Sequence, residues 1–428
     1  MIDIEIIRRT PDALDEALKK RGQAPVAKEL QKLDEDRRAV QTKQQETQAK
    51  RNALSAQIGE LKKNKQNADD LMAEVARLKA DLEALGADEE RLGADLHDRL
   101  ARLPNIVDAD VLAGDKEANV VIETFGKKPE FDFAPKDHYE LVTSLKMVDF
   151  DRGVKLGGSG FWAYTNIGAQ LEWALLNFFV AERMANGYQF ILPPHILTYE
   201  SGYTAGQFPK FEEDVFVLKD RTSEDRMRFL MPTAETALIN WYRDEILDEA
   251  QLPTKLFAYS PCYRREAGGA RASERGTVRG HQFNKVEMFQ FTTAEQSDAA
   301  HEEMIKQAAD TVRKLGLHFQ ISKLSAGDTS AGMARTYDIE AWIPSTGEYK
   351  EVSSASNARE FQARRGNMRY RPKGEKNTRF IHTLNASGLA TSRLVPAIVE
   401  TYQQKDGSVL IPDVLQPYMN GLKVIRAE

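Results

Sequence analysis

Residues 263–288 of this chain read YRREAGGARASERGTVRGHQFNKVEM, two strand-like runs separated by a loop rich in arginine and glycine. The first run covers residues 263–269 and the second covers residues 281–288. Alternate side chains of a β-strand lie on the same face, so we expect Arg264 and Glu266 to point the same way. The stretch therefore predicts a β-hairpin that carries a guanidinium and a carboxylate above one surface.

On the returning strand, the same alternation brings Phe283, Lys285 and Glu287 to one face. A guanidinium can neutralise a phosphate in fork geometry, a carboxylate can accept a hydrogen bond from a base amino group, and a phenyl ring can stack on a purine. The connecting loop adds three more arginines among its glycines: Arg271, Arg275 and Arg279. The hairpin favours a nucleotide polyphosphate as ligand, and the alternative is a salt-bridged surface hairpin around a buried phenylalanine.

Residues 26–103 have a different pattern, which is typical of a coiled coil. Apolar residues recur there with a repeat of about 3.5 residues, the repeat of helices that pack along one seam. Polar residues interrupt the seam at several heptad positions: Arg37, Gln44, Thr47, Arg51 and Glu89. Residues 62–67 are polar and suit a turn. The region predicts an antiparallel two-helix hairpin, an arm on the order of 50 Å long at about 1.5 Å per residue.

The tip of this arm is basic. Residues 50–65 contain one acid, Glu60, and a set of basic residues: Lys50, Arg51, Lys62, Lys63 and Lys65. A solvated helix surface is the simpler interpretation of these charges. The more specific interpretation is that these charges contact the phosphates of a structured RNA.

The pattern changes after Pro104, where glycine, proline and aromatic residues become more frequent. Residues 187–194 and 338–343 read as strands, and residues 169–185 and 300–314 read as helices. Strands joined by long irregular segments favour an α+β domain on a mostly antiparallel sheet.

The composition of the chain excludes several classes of protein. Its formal net charge of −6 argues against general electrostatic attraction to nucleic acid but leaves a local basic patch open. Cys262 is the only cysteine, so no intramolecular disulfide and no cysteine-rich zinc site is expected. No apolar run approaches the roughly 18 residues of a membrane span, and the N-terminus lacks a signal-peptide pattern. We expect a cytoplasmic protein without membrane contact.

Together these stretches resemble the seryl-tRNA synthetases of the bacterial type, which belong to the class II aminoacyl-tRNA synthetases. The hairpin is similar to the family's motif 2, and Thr233-Ala234-Glu235 is similar to its serine-binding TxE triplet. Other segments are similar to motif 1, to a stretch typical of the family and to motif 3: residues 187–194, 206–214 and 385–393.

The resemblance implies a domain organisation. Residues 1–104 would form an N-terminal tRNA-binding domain with a coiled-coil arm at about 26–103. Residues 105–428 would form an antiparallel-sheet class II catalytic domain with motifs 1, 2 and 3. In the family, motif 1 helps to form the interface of a homodimer.

The resemblance also implies roles for individual residues in ATP binding. Arg264 would meet the α-phosphate, Glu266 the adenine amino group, and Phe283 the adenine ring. Arg279 and Arg393 would lie near the terminal phosphates and, with Arg264, would be the catalytic residues. The implied ATP-binding set is Arg264, Arg265, Glu266, Arg279, Phe283, Glu351, Val352, Ser353, Ser354 and Arg393.

The remaining implied residues bind serine and magnesium. The serine pocket would consist of Thr233, Ala234, Glu235, Glu287 and Ser387. Glu351 and Ser354 would bind Mg²⁺, although they have opposite parity in a regular strand and could reach one ion only across a bulge or a strand end. No zinc is expected. The local alternatives are a helix N-cap at Thr233 before a helical run to Leu247, a solvated carboxylate at Glu351 and a turn at Ser387.

The implied reaction is that of a serine–tRNA ligase. L-Serine and Mg-ATP would give seryl-adenylate and pyrophosphate, and serine would then pass to the 3′-terminal adenosine of tRNA(Ser), with tRNA(Sec) open as a second acceptor. Magnesium and arginines offset the charge on phosphorus and on the leaving pyrophosphate. The serine carboxylate is itself the nucleophile, so positioning matters more than a catalytic base.

Two departures from the family pattern concern the site. Ala386 stands where the family commonly has glycine, and its methyl group could reshape the serine pocket or alter sensitivity to seryl-adenylate mimics. Gly280 stands where an apolar residue is usual. The alternatives are an inhibitor-tolerant or non-housekeeping paralogue, a non-catalytic RNA-binding paralogue, an amino acid:carrier protein ligase and a coiled-coil scaffold.

Overall fold

The computed structural model describes residues 1–219, 227–266 and 276–427. The chain divides into two compact units, Ile2–Leu103 and Pro104–Glu428, and Met1 is grouped with the second. Among the described residues, none of the helices combines the length and the apolar character that a membrane crossing needs.

The first unit is a helical hairpin preceded by two short helices. Its elements are α1 (Ile4–Arg9), α2 (Pro11–Lys20), α3 (Ala27–Lys63) and α4 (Asp69–Arg102). The helices α3 and α4 pack along each other and bury apolar residues such as Leu30, Leu78 and Leu96 in their seam. The predicted two-helix arm and the turn at its tip are confirmed.

Two of the polar heptad positions face each other across the arm. The Arg37 guanidinium lies 2.9 Å from the Glu89 carboxylate, and the Gln41 amide donates to the same oxygen at 2.8 Å. A polar contact at one level of an apolar seam favours one register of the two helices over its neighbours.

The second unit is an α+β domain. Its helices are α5 (His138–Ser144), α6 (Phe150–Gly157), α7 (Asn166–Ala185), α8 (Tyr199–Thr204), α9 (Glu235–Leu238), α10 (Ser297–Lys314), α11 (Phe361–Arg365) and α12 (Thr391–Thr401). Its strands are β1 (Val120–Phe125), β2 (Val148–Asp149), β3 (Ala163–Tyr164), β4 (Gln189–Ile191), β5 (Ile196–Thr198), β6 (Val217–Leu218), β7 (Arg228–Leu230), β8 (Ile246–Asp248), β9 (Thr254–Tyr263), β10 (Gln282–Thr292), β11 (Phe319–Lys323), β12 (Arg335–Ile343), β13 (Glu348–Arg359), β14 (Arg369–Arg371), β15 (Arg379–Phe380), β16 (His382–Ala390), β17 (Val409–Leu410) and β18 (Val424–Ile425).

The main sheet has eight strands in the order β1-β11-β12-β13-β16-β10-β9-β4. Every neighbouring pair in it is antiparallel except β4 and β9, which are parallel. The predicted mostly antiparallel sheet is therefore confirmed.

The alternation of side chains along β10 explains why the two faces of the sheet differ. Val286 and Met288 join the apolar core that includes residues of α7, α10 and α12. Phe289 and Phe291 join a second core with residues such as Phe229. Successive side chains of a strand point to opposite faces, so the second face is the one that Phe283, Lys285 and Glu287 share.

Several local expectations were wrong. Strand β9 ends at Tyr263, short of the limit predicted for the run at 263–269: Arg265 N–H donates to Asp214 O instead of to β10, and Glu266 has a left-handed backbone with φ of 50°. Residues 267–269 lie outside the described residues. The helical run expected to reach Leu247 gives way after Tyr242, and Leu247 lies in β8. Ser387 lies inside β16 rather than in a turn.

Candidate active site

An open cleft of about 540 Å³ lies beside the central strands, next to a smaller cavity of about 80 Å³. Both are lined by Arg264, Glu266 and Arg279. Thr233 and Glu235 line the cleft but not the smaller cavity. The smaller cavity is lined in addition by Phe283, Lys285, Glu351, Val352, Ser387 and Arg393. The structure therefore brings most of the predicted serine and ATP residues to two adjoining spaces, and Arg264 is among the residues that line both; Glu287 and Ser354 line neither.

Arg264 lies beside both spaces because β9 has just ended. Its backbone N–H donates to His281 O at 2.9 Å, which keeps the chain beside β10. Its Nε donates to Pro232 O at 3.3 Å, and its Cζ lies 5.2 Å from the centroid of the Phe283 ring. A guanidinium held by a carbonyl and an aromatic face is fixed in direction and keeps its positive charge, as anion binding requires.

Glu266 and Arg279 form an ion pair across the hairpin. Arg279 Nε donates to Glu266 Oε2 at 2.6 Å, and its Nη2 lies 2.5 Å from the same oxygen. Arg265 is exposed and donates to Glu213 O at 3.1 Å, so it does not line either cavity. The loop residues Arg271 and Arg275 lie outside the described residues.

The end of the hairpin beside His281 packs closely against Trp162. A Cβ atom at Gly280 would lie 2.1 Å from the Trp162 ring, so a side chain at Gly280 cannot be accommodated without rearrangement. The departure from the family pattern at Gly280 thus has a packing reason.

Two members of the serine-binding set predicted from the sequence, Thr233 and Glu287, contact one lysine. Lys285 Nζ donates to Thr233 Oγ1 at 2.8 Å and lies 2.5 Å from Glu287 Oε2. Glu287 pairs across the sheet with Ser387 because the register of β10 and β16 shifts at this point. The shift leaves Gly388 without a partner in the register, and it sets both polar residues opposite each other.

Glu235 is the half-buried carboxylate at the cleft end of this group. It begins α9, and Thr233 Oγ1 accepts a hydrogen bond from its backbone N–H at 3.3 Å. Burial raises the pKa of the Glu235 carboxyl to about 7, and the Glu287 carboxylate adds to the rise. A hydrogen bond from Gln362 opposes it. A carboxylate in this state gains more from a bound ammonium group than an exposed one would.

The predicted metal ligands lie on either side of an irregularity in β13. Asp338 pairs with Ser354 and Glu340 pairs with Glu351, with a register shift between Ile339 and Glu340. The bulge that the opposite parity of Glu351 and Ser354 required is therefore present. Arg393 Nη1 donates to Glu351 O at 2.7 Å and lies 3.3 Å from Glu351 Oε2.

The charges around Glu351 suit a metal cation that is bound together with phosphate groups. Desolvation acts to raise the pKa of the Glu351 carboxyl, but the Arg393 and Arg264 guanidiniums outweigh it and hold the pKa below its ordinary value. Asp338 lies beside this carboxylate, and its Oδ1 is buried without a hydrogen-bond partner among the described residues. Carboxylate and hydroxyl oxygens are the hard donors that Mg²⁺ prefers. Glu351, Asp338 and Ser354 supply such oxygens here. Within residues 1–219, 227–266 and 276–427, no group of three or more His, Cys, Asp or Glu side chains could hold a metal ion, so protein groups would supply only part of a coordination shell.

The predicted site residues Ser353 and Ala234 do not line either cavity, and neither does Ala386. Ser353 is buried and donates to Ser387 O at 2.6 Å, which ties β13 to β16. Ala234 is buried at the start of α9. Ala386 belongs to the core on the helix-covered face, where it lies across from Met288, so its methyl group does not point into the serine pocket as the sequence had suggested.

Two residues of the site were not assigned from the sequence. Lys285 was placed on the correct face by strand alternation, but its partner Thr233 comes from another part of the chain. Gln362 lies on α11 and donates to Glu235 Oε1 at 2.8 Å. Glu235 and Gln362 are 127 positions apart in the sequence, and no pattern in the chain connects the two side chains.

Comparisons with known proteins agree over both units. A seryl-tRNA synthetase N-terminal domain model matches residues 1–107, and a tRNA synthetase class II core domain (G, H, P, S and T) model matches residues 216–402. The protein named serine–tRNA ligase 2 of Clostridium acetobutylicum is 51% identical over 420 residues, which cover 98% of this chain and 99% of that protein.

Solved structures show the same likeness. The seryl-tRNA synthetase of Pyrococcus horikoshii complexed with ATP superimposes with a TM-score of 0.93 at 33% identity and full coverage of both chains. The cytoplasmic serine–tRNA ligase of Naegleria fowleri in complex with AMP gives a TM-score of 0.88 at 25% identity, covering 100% of this chain and 99% of that one.

Proposed function

This chain belongs to the seryl-tRNA synthetase family, and we propose that the cleft and the cavity beside it are the site where this serine–tRNA ligase joins serine to ATP. The observation that carries the proposal is the position of Arg264 on the border of the two spaces. A cation at that border lies where a bond would form between an amino acid on one side and a nucleotide on the other.

Serine would bind on the Thr233 side. The Glu235 carboxylate lines the cleft and suits the ammonium group, while Ser387, which lines the smaller cavity, and its cross-strand neighbour Glu287 suit the hydroxyl group where the two spaces adjoin. Lys285 neutralises Glu287 at 2.5 Å, which leaves Glu235 as the acid whose charge a bound ammonium group would balance. A pocket of such groups rejects alanine, because alanine would leave buried polar atoms unpaired.

ATP would bind along the hairpin. Phe283 offers a face for the adenine ring, and Glu266 can accept from the adenine amino group once it releases Arg279. A serine carboxylate oxygen then attacks the α-phosphorus, the bond to the β-phosphate oxygen breaks, and pyrophosphate leaves with seryl-adenylate behind. Arg264 stabilises the charge that develops on the α-phosphate. Arg279 and Arg393 stabilise the charge on the leaving pyrophosphate.

Glu351, Ser354 and Asp338 would hold magnesium at this site. When bound, Mg²⁺ supplies charge neutralisation at the phosphates. Arg393, through its contacts with Glu351 O and Oε2, sets the direction of that carboxylate.

In the second step, a ribose hydroxyl of the terminal adenosine of tRNA(Ser) attacks the carbonyl carbon of seryl-adenylate, and AMP leaves. The tRNA(Sec) acceptor is a further candidate. The arm would contact the tRNA through exposed lysines at its tip, Lys62, Lys63 and Lys65, and through Lys50 and Arg51. Lys50 lies 2.6 Å from Glu74, so its contribution requires that this exposed pair open.

The homodimer would use the edge of the main sheet at β4. Leu192 is 71% exposed just beyond this strand, and Trp173 is 54% exposed on the adjacent α7. Large apolar side chains beside an edge strand are a typical basis for association with a second copy. Sedimentation equilibrium tests this proposal, with Leu192→Asp expected to shift the protein to the mass of one chain. The cytoplasmic location stays a prediction.

The direct test of the proposed site is pyrophosphate exchange with Glu235→Gln, compared with Glu245→Gln, which changes an exposed acid outside both cavities. The first variant is expected to lose serine affinity and the second to keep it. Equal exchange by both variants would contradict the assignment of Glu235.

An amino acid:carrier protein ligase is not favoured, because the chain matches serine–tRNA ligases over its whole length, N-terminal domain included.

A further inference from the structure

We infer that Gln362 is a positioning residue that orients the Glu235 carboxylate for the ammonium group of serine, and that Thr383 anchors the oxygen end of the Gln362 amide. This inference rests on the proposed function, because it assigns to Gln362 a task at the serine pocket. Gln362 itself lies behind Glu235 rather than on the cleft wall.

The Gln362 amide is buried with both of its ends in hydrogen bonds. Its Nε2 donates to Glu235 Oε1 at 2.8 Å and to Ala205 O at 3.0 Å. Its Oε1 accepts from Thr383 Oγ1 at 2.7 Å. The amide nitrogen has two hydrogens, and both are used.

These partners permit only one orientation of the amide. A carboxylate and a backbone carbonyl are acceptors, so both must face the nitrogen end of Gln362. The hydroxyl of Thr383 can donate to the oxygen end. If the amide turned over, its oxygen would face Glu235 Oε1 and Ala205 O, and three acceptors would meet without a proton between them. The Ala205 carbonyl and the Glu235 carboxylate therefore select the orientation of the amide, and the Thr383 hydroxyl satisfies its oxygen end.

A neutral donor is suited to this position. Glu235 shares its surroundings with the acid Glu287 and the cations Lys285 and Arg264. A third cation behind Glu235 would compete with the ammonium group of serine for the same charge. An amide fixes the carboxylate without neutralising it, so the charge stays available on the cleft side. Ala205 also lines the cleft, and its bond to the same amide ties the cleft wall to Glu235.

Gln362→Met tests this role, because methionine has a similar length and no donor. The apparent serine KM in pyrophosphate exchange is expected to rise roughly 10- to 100-fold near neutral pH, the equivalent of one lost hydrogen bond to a charged group. The KM for ATP is expected to change less than about twofold.

The pH profile separates this role from a purely structural one. The bond from Gln362 favours the ionised form of Glu235, so its loss raises the pKa of Glu235 further above about 7. Serine affinity of Gln362→Met is therefore expected to improve as the pH rises, over a range where that of the unaltered protein is already constant. Thr383→Val is expected to change serine KM in the same direction but less, and Thr383→Ser, which keeps the hydroxyl, is expected to restore it.

Gln290→Met is the matched control. Gln290 is also fully buried on the sheet, but its amide donates to Tyr188 Oη at 2.6 Å, away from the serine pocket. It is expected to lose stability without a change in the serine pH profile.

The inference is overturned if Gln362→Met keeps the serine KM and the pH profile of the unaltered protein, or if its defect matches that of Gln290→Met. Should Gln362→Met not fold, an unchanged serine KM in Thr383→Val overturns it equally. Absence of serine-dependent exchange in the unaltered protein would instead reject the proposed function.

Discussion

The pair formed by Lys285 and Glu287 gives the sharpest prediction about the energetics of the site. Both side chains are buried, with 8% and 2% of their surface exposed, and Lys285 Nζ lies 2.5 Å from Glu287 Oε2. At an effective dielectric constant of about 20, two unit charges at that distance attract by about 7 kcal/mol before desolvation is subtracted. Removal of one partner from a buried pair typically costs about 3–5 kcal/mol.

We therefore predict that Lys285→Met lowers the free energy of unfolding by about 3–5 kcal/mol, since Glu287 is then buried without its cation. Part of this loss is the bond from Lys285 to Thr233, so Thr233→Val alone is expected to cost only about 1 kcal/mol. The double variant Lys285→Met/Glu287→Leu should recover about 2 kcal/mol or more of the loss, because the uncompensated charge is gone.

Urea denaturation, followed by circular dichroism, measures the coupling free energy between the two side chains. The four proteins compared are the unaltered protein, Lys285→Met, Glu287→Leu and the double variant. The midpoint of unfolding is compared only where the slope with denaturant is unchanged. Additive effects of the two single variants, with a coupling below about 0.5 kcal/mol, would refute the account of Lys285 as the charge that stabilises the serine pocket.

Three further predictions concern catalysis, metal binding and tRNA. Arg264→Gln should lower the rate of serine-dependent pyrophosphate exchange by about 10²- to 10³-fold, and a smaller loss than tenfold would contradict its contact with the transferred phosphate. Asp338→Asn should weaken Mn²⁺ binding to the protein with ATP by about 10- to 100-fold in a paramagnetic resonance titration, and unchanged Mn²⁺ affinity would remove Asp338 from the metal site. Replacement of Lys62, Lys63 and Lys65 by alanine should weaken tRNA(Ser) binding and reduce its salt dependence by roughly one unit of slope per lost phosphate contact, with pyrophosphate exchange unaltered. Equal tRNA affinity at all salt concentrations would exclude the tip from the interface.

The features predictable from the sequence were those that a local repeat determines. The heptad pattern located both helices of the arm, and strand alternation placed Phe283, Lys285 and Glu287 on one face of β10. Such periodicities depend only on residues near one another in the chain. The limits of β9 were harder to predict, because the left-handed backbone at Glu266 is a property of a single residue.

The features that the sequence could not supply depend on contacts between distant segments. Gln362 reaches Glu235 only because α11 packs beside α8 and β16. The register shifts at Val286 and at Ile339 decide which residues lie opposite each other, and an alternating pattern contains no information on where a bulge occurs. Ala386 was misplaced for a different reason: it is next to Ser387 in a segment not predicted to be a strand, and in β16 adjacent side chains point to opposite faces of the sheet.

The most direct test of the central claim is pyrophosphate exchange by the unaltered protein across a panel of amino acids, without tRNA. We predict exchange with serine and a preference over alanine on the order of 10⁴-fold, because the pocket's buried polar groups need the hydroxyl. Exchange with alanine or glycine at a rate comparable to that with serine, or no exchange from folded protein that binds ATP, would contradict it.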